Sequence, residues 1–211
     1  MKHPDPRLRA YCDLVVAEPV SVTSARDPAA AWDLLVEDAL SALAIVRELA
    51  PAEAVDVGSG GGSPGIPLAL ELGLPVTLLE ATGTKCRFLE RAVAAVEAPC
   101  TVVHARSEEY GRGEGRDRFP LAFARALAPP SVAVELVLPL VARGGAAILW
   151  TASVDESAVA AVAAELAGAL EAVHVIGDER RLLLVRKCGS TPARFPRRPG
   201  IARARPLAPV R

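Results

Sequence analysis

Residues 54 to 72 constrain the fold of this chain more than any other segment. The β-branched run Ala54-Val55-Asp56-Val57 meets Gly58-Ser59-Gly60-Gly61-Gly62-Ser63-Pro64-Gly65, and an apolar stretch from Ile66 to Leu72 follows. Strand, glycine turn and helix in that order open a parallel α/β unit. Glycine reaches positive φ without a Cβ clash and lets a ligand come close to the backbone. The helix that follows presents amides with no partner inside the helix.

The alternation continues along the chain. Helical spacing of Trp32, Leu35, Val36, Leu40, Leu43 and Val46 predicts a helix opened by Arg26-Asp27-Pro28, with Asp27 as cap, and running to Leu49. Residues 1 to 24 are weakly patterned. Further strands are expected at 75–79, 101–104, 120–124, 146–151, 173–176 and 182–185. Helices are expected at 84–96, capped by Thr82 or Thr84, at 132–141, and from the capping box Ser153-Val154-Asp155-Glu156 to Leu170. The fold class is therefore α/β: a mostly parallel seven-stranded sheet with helices on both faces. The last two strands, joined by Gly177-Asp178-Glu179-Arg180, form an antiparallel edge hairpin. The expected organisation is an N-terminal helical segment over 1–50, an α/β domain over 51–187 and a C-terminal arm over 188–211. Pro192, Pro196, Pro199, Pro206 and Pro209 predict that the arm is extended.

Charge sets the arm apart. The formal net charge of −1 hides eight basic and no acidic side chains in residues 186–211. Residues 1–185 then hold 16 basic and 25 acidic groups, so a body of −9 carries an arm of +8. Arg194, Arg197, Arg198, Arg203 and Arg205 read as phosphate-binding side chains on such an arm. Cys12, Cys86, Cys100 and Cys188 are scattered and the three histidines are isolated, which argues against a metal site or a disulfide framework. The first residues have no apolar signal core, and the apolar run 131–142 is broken by Glu135 and Pro139. A cytoplasmic protein without membrane spans is expected.

In open α/β sheets, ligands bind beyond the carboxyl ends of the strands. The loop after the first strand fits G-x-G-x-x-G at Gly60, Gly62 and Gly65, and also Asp-x-Gly-x-Gly-x-Gly from Asp56 through Gly58, Gly60 and Gly62. The first pattern suits a dinucleotide and the second S-adenosylmethionine. Pro64 and Pro67 remove amides that a pyrophosphate would use, which favours the methyl donor. Ile66-Pro67 in place of Lys-Ser excludes a P-loop. Glu80 ends the second strand, 22 residues after Gly58, where a carboxylate can accept both ribose hydroxyls. After the third strand, Ser107-Glu108-Glu109 offers either a helix cap or, through Glu108, a contact to an adenine edge. The loop Arg125-Ala126-Leu127-Ala128-Pro129-Pro130 holds no Asp, Asn, Cys or His. An acceptor that needs no base, such as guanine N7, suits that loop, with Arg125 as a rim residue that positions a ligand.

At these residues the chain resembles the ribosomal small-subunit methyltransferase G family, also called glucose-inhibited division protein B. The resemblance rests on Ser24-Ala25-Arg26-Asp27-Pro28, the run Val55 to Leu68, and Leu78-Leu79-Glu80-Ala81-Thr82 with Lys85 and Phe88-Leu89-Glu90-Arg91. It extends through Arg106-Ser107-Glu108, Ala124-Arg125-Ala126 and the arm from Thr191-Pro192 to Pro206-Leu207. It implies a Rossmann-like class I methyltransferase with an N-terminal helical cap and a basic C-terminal arm. The implied reaction is methyl transfer from S-adenosylmethionine to N7 of a guanine in 16S rRNA, free or in the small subunit, by a monomer. Gly58, Ser63, Glu80, Ala81, Thr82, Ser107, Glu108 and Arg125 fall on the family's cofactor contacts, and Gly60 joins them from the glycine loop. The resemblance implies no catalytic base and no metal. The chain departs from the family pattern at Ser21-Val22-Thr23, at Leu34-Leu35 and at Thr151-Ala152. A class I methyltransferase with another acceptor, and a non-catalytic RNA-binding relative, are the alternative readings.

Overall fold

A computed structural model describes residues 4–20, 22–25, 27–177 and 180–209. Several expectations fall on other positions: the first three residues, Ser21 in the departure from the family pattern, Arg26 before the first predicted helix, Asp178-Glu179 in the hairpin turn, and Arg211 in the arm. They lie outside the described residues. The described residues contain seven strands, mostly parallel. By contact density the chain divides into a first unit, Met1–His104, and a second, Ala105–Arg211.

In the first unit, strands β1 (Ala54–Val57), β2 (Val76–Glu80) and β3 (Cys100–His104) are parallel. Every residue of β1 is buried, as expected of a strand covered on both faces. Helix α1 (Arg7–Ala17) occupies a stretch that reads as weakly patterned. It forms because Leu8, Tyr11, Cys12 and Val15 stand at i, i+3, i+4 and i+7 and are all buried. The single helix expected from Pro28 to Leu49 is instead segmented. It comprises α2 (Pro28–Ala31), a π-helical turn over Trp32–Glu37, α3 (Asp38–Leu40) and α4 (Leu43–Leu49). Asp27 caps its start, accepting from the amides of Ala29 and Ala30. Helix α5 is Gly65–Leu72 and α6 is Gly83–Val96.

In the second unit, α7 (Ser107–Tyr110) precedes β4 (Phe119–Arg125), which runs parallel to β5 (Val141–Thr151). Helix α8 (Pro130–Val137) and a 3-10 turn at Leu138–Leu140 connect them. Helix α9 (Glu156–Glu165) stops short of Leu170. Ala167 adopts a left-handed φ of 57°, and β6 (Gly168–Ile176) begins immediately after it. The hairpin of β6 and β7 (Arg180–Lys187) is antiparallel, with β7 against β5 and β6 at the edge.

The arm is not the extended segment its prolines predict. It turns repeatedly and includes α10 (Ile201–Ala204), the one stretch long enough between Pro199 and Pro206, entered through Gly200 at φ 82°. It is held to its unit by buried polar contacts. Lys187 is fully buried and donates to the Leu138 carbonyl (3.0 Å) and to Thr191 Oγ1 (2.6 Å), with Asp117 at 3.4 Å. Burial holds this ammonium below its ordinary pKa, and Asp117 counters the shift. Asp117 also accepts from the amide and hydroxyl of Thr191, while Arg116 donates to the Thr191 and Phe195 carbonyls.

All four cysteines are free thiols. Burial pushes Cys12 up to about 11 and Cys100 up to about 12, so both are almost wholly protonated near neutrality. Cys86 is also raised by burial, whereas Cys188 is exposed. Iodoacetamide at pH 8 is therefore expected to label Cys188 first in the native protein. Peptide mass mapping showing Cys12 or Cys100 modified as fast would contradict that burial.

Candidate cofactor and nucleic-acid site

The glycine loop of the first unit is built from its ends inward. Gly58 (φ 73°) and Ser59 both donate their amides to the Leu79 carbonyl, so the loop stays tied to β2 as it leaves β1. Asp56, 1% exposed, accepts the Gly65 amide at 3.1 Å and closes the far end. A Cβ on Gly65 would stand 2.6 Å from Leu78 and 2.8 Å from the Asp56 carboxylate, so only glycine fits there. At Gly60 (φ 54°) the same construction meets nothing closer than 3.8 Å, leaving a bare backbone face. Such a face lets a ligand approach the chain itself.

Glu80 organises the rest. It is 7% exposed, and its two oxygens serve two loops: Oε2 accepts the Gly60 amide at 2.9 Å and Oε1 the Thr82 amide at 2.8 Å. A carboxylate offers about four acceptor positions, so two remain for a ligand's hydroxyl pair. This is the expected chemistry of a ribose partner, and the structure adds a bracing role that the sequence does not display. Ala81 and Thr82 are exposed beside it. His104 Nε2 lies 3.1 Å from the Ala81 carbonyl, and the Cys86 thiol donates to the carbonyl of Glu80. Thr82 occupies the cap position of α6, but its side chain makes no capping bond.

Ser63 also has a partner within the protein. Its hydroxyl donates to the Leu35 carbonyl at 2.7 Å inside the N-terminal helical segment. Tyr11, absent from the predicted set, donates its buried hydroxyl to the Gly61 carbonyl at 2.9 Å. Residues 61 to 63 are thus gripped from behind by the N-terminal helices, while Gly58 and Gly60 carry the open side. The helical spacing around Tyr11 is the available signal for its burial; its partner is not readable. Tyr11→Phe keeps the ring and removes one buried hydrogen bond, worth about 1 kcal/mol. S-adenosylmethionine affinity measured by calorimetry is expected to fall several-fold, with RNA affinity unchanged. Equal cofactor affinity would show that the grip does not shape the loop.

In the second unit, Arg125 ends β4 opposite Trp150. Ser107 begins α7, its hydroxyl 3.4 Å from Glu108. Glu108 does not act as a helix cap; it is buried and accepts the Gly200 amide at 2.9 Å, fixing the arm.

The five arginines of the arm separate by role. Arg197 makes two bonds of 2.6 Å to the carboxylate of Glu135, whose side chain is 2% exposed, and a third to the Arg205 carbonyl. Arg194 pairs with Glu165 and stacks 5.0 Å from the Phe195 ring centroid. Arg203 donates to the Leu127 carbonyl at 2.6 Å. Arg198 and Arg205 are exposed, and among the described residues their side chains make no ion pair. No described helix is long and apolar enough to cross a membrane.

The likeness to known proteins runs over these same residues. A family model described as GidB, rRNA small subunit methyltransferase G, matches residues 6–183. Ribosomal RNA small subunit methyltransferase G of Chloroflexus aggregans is 36% identical, over 98% of this chain and 91% of its own length. That of Carboxydothermus hydrogenoformans is 38% identical, over 79% and 76%. Among solved structures, the mitomycin 7-O-methyltransferase MmcR is similar with a TM-score of 0.62 at 16% identity, covering 84% of this chain and 60% of that one. A mutant of MtNAS in complex with S-adenosylmethionine gives 0.60 at 15% identity, covering 88% and 73%. At these identities the two structures speak to the fold alone.

Proposed function

The chain belongs to the ribosomal RNA small subunit methyltransferase G family and is an S-adenosylmethionine-dependent methyltransferase, and from that premise we propose that it methylates N7 of a guanine in 16S rRNA. The observation that carries the cofactor assignment is the Glu80 carboxylate, nearly buried, braced by two loop amides and with acceptor capacity to spare.

The residues present fit the methyl donor. Gly58 and Gly60 offer open backbone to its amino-acid end, Glu80 accepts from its ribose, and Ala81 and Thr82 flank its base. Ser63 supports the loop from behind instead of touching the ligand. Ser107, Glu108 and Arg125 in the second unit are assigned by motif alone, with Arg125 as the positioning candidate and Glu108 shared with the arm.

S-adenosylmethionine supplies a methyl on a cationic sulfur, which the N7 lone pair takes as the carbon–sulfur bond breaks and S-adenosylhomocysteine leaves. N7 carries no proton, so the loop from Arg125 to Pro130 needs no base, and alignment is the main task left to the protein. Arg198, Arg203, Arg205 and Arg194 form the phosphate-binding set, and Arg197 is reassigned as an internal brace. The enzyme acts as a monomer in the cytoplasm, on RNA free or within the small subunit.

Labelled-methyl transfer tests the assignment. The expected result is incorporation into 16S rRNA or small subunits and none into large-subunit RNA. Labelling of a small molecule with none in RNA would establish a different acceptor.

A further inference from the structure

The peptide unit joining Ala81 to Thr82 is held at both of its polar ends. Its N–H, on Thr82, donates to Glu80 Oε1 at 2.8 Å, and its carbonyl, on Ala81, lies 3.1 Å from His104 Nε2. A carbonyl can only accept, so Nε2 carries a hydrogen and donates it. The unit is planar, with N–H and C=O aimed in opposite directions, so neither end turns without the other. Rotation after loss of the histidine would withdraw the Thr82 amide from the Glu80 carboxylate.

The local structure explains the reach. β2 and β3 run parallel and in register to their last residues, which places Glu80 opposite His104. The Ala81 carbonyl therefore stands just beyond the end of the neighbouring strand. Helix α6 starts at Gly83, where a Cβ would lie 3.2 Å from Cε1 of the imidazole. A larger residue would press on the ring, so the glycine leaves it room. All of these residues belong to the first unit. His104 is exposed, and an exposed histidine at a strand end is ordinarily just solvated. This one differs because its partner is the far end of the peptide unit that braces Glu80.

Resting on the reading of Glu80 as the ribose acceptor, we propose that His104 is a positioning residue for the nucleoside half of the cofactor. It acts through the 81–82 peptide unit. The imidazole holds the carbonyl, the planar unit presents its N–H to Oε1, and the carboxylate keeps one orientation toward the ribose hydroxyls. The Gly60 amide still holds Oε2 when the histidine is lost, so the effect is smaller than that of losing Glu80 itself.

Calorimetry on the full chain tests this with S-adenosylhomocysteine and with adenosine, which lacks the amino-acid end. His104→Ala is expected to weaken both by about fivefold, the effect of one net hydrogen bond. Glutamine carries its amide nitrogen close to the position of Nε2, so His104→Gln should restore wild-type affinity. The asparagine nitrogen falls short of that position, and His104→Asn should behave like His104→Ala. Because the histidine works through the carboxylate, adding His104→Ala to Glu80→Ala should cost nothing further. A comparable further loss in that double variant would mean that His104 meets the ligand itself, and would overturn the positioning role. So would a His104→Gln protein as weak as His104→Ala, or a loss confined to S-adenosylhomocysteine with adenosine unaffected. His104→Ala with wild-type affinity, while Glu80→Ala binds weakly, would overturn the proposal and leave the ribose reading standing. If Glu80→Ala also binds as the wild type does, the ribose reading falls and the role of His104 with it.

Discussion

Arg197→Ala is expected to destabilise the second unit by about 3 to 5 kcal/mol, the range for leaving a buried charge without its partner. Glu135 sits in the middle of α8, its side chain 2% exposed, and Arg197 satisfies both of its oxygens at 2.6 Å. Removing the guanidinium leaves that carboxylate to be protonated or to draw water into the helix packing. The same guanidinium also holds the Arg205 carbonyl, so residues 197 to 205 lose a closing contact. For a chain of this size the loss corresponds to a fall of roughly 6 °C or more in Tm. Arg197→Met with Glu135→Met should recover most of it, because an apolar pair of similar volume carries no desolvation cost. Arg198→Ala is the control: the side chain is exposed, so Tm should hold while RNA affinity and its salt dependence drop. An Arg197→Ala protein that melts with the wild type would show that the arm's other contacts, through Lys187, Asp117, Arg116 and Glu108, hold it without this ion pair.

Glu80→Ala should have the largest effect on cofactor binding. It removes the proposed ribose acceptor and leaves the Gly60 and Thr82 amides without their carboxylate, and each donor left unmet costs about 1 to 3 kcal/mol. A weakening of S-adenosylmethionine affinity of about 100-fold is expected by calorimetry, together with a fall in Tm of several degrees from the two unmet amides. Glu80→Gln should not rescue it. A glutamine oxygen can accept one of the two amides, but its NH2 then faces the other N–H, so one loop is released. Wild-type affinity in Glu80→Gln would mean that the bidentate brace is incidental.

Much of this site is legible in the sequence because its signals are local. Gly58 to Gly65 follows β1 directly, and Glu80 is recognisable by its offset and its place at a strand end. What cannot be read depends on partners far apart in sequence. Arg197 looks like any other arginine in a basic run until Glu135, 62 residues earlier, is placed against it. Glu135 is itself a hint, a single charge inside an apolar stretch, which a buried ion pair explains better than a break in the helix. Glu108 offers a cap or an adenine contact by motif and proves to hold Gly200, 92 residues away. Ser63 matches a cofactor position, yet its hydroxyl satisfies a carbonyl on a helix that the glycine loop itself packs against. Two elements escape the sequence for a different reason. The apolar face of α1 is only four residues wide, and the alanine-rich stretch after Asp155 carries almost no periodicity to mark where α9 stops and β6 begins.

The central claim is that a loop without a base suffices because the acceptor is guanine N7. N7-methylguanine is reduced by borohydride and its strand is then cleaved by aniline, so the modified position can be located directly. After incubation of unmethylated small-subunit RNA with the enzyme and S-adenosylmethionine, a single new cleavage at one guanine is predicted, absent when Glu80→Ala replaces the wild type. Methyl transfer to the RNA without that cleavage would place the methyl on another atom and contradict the account.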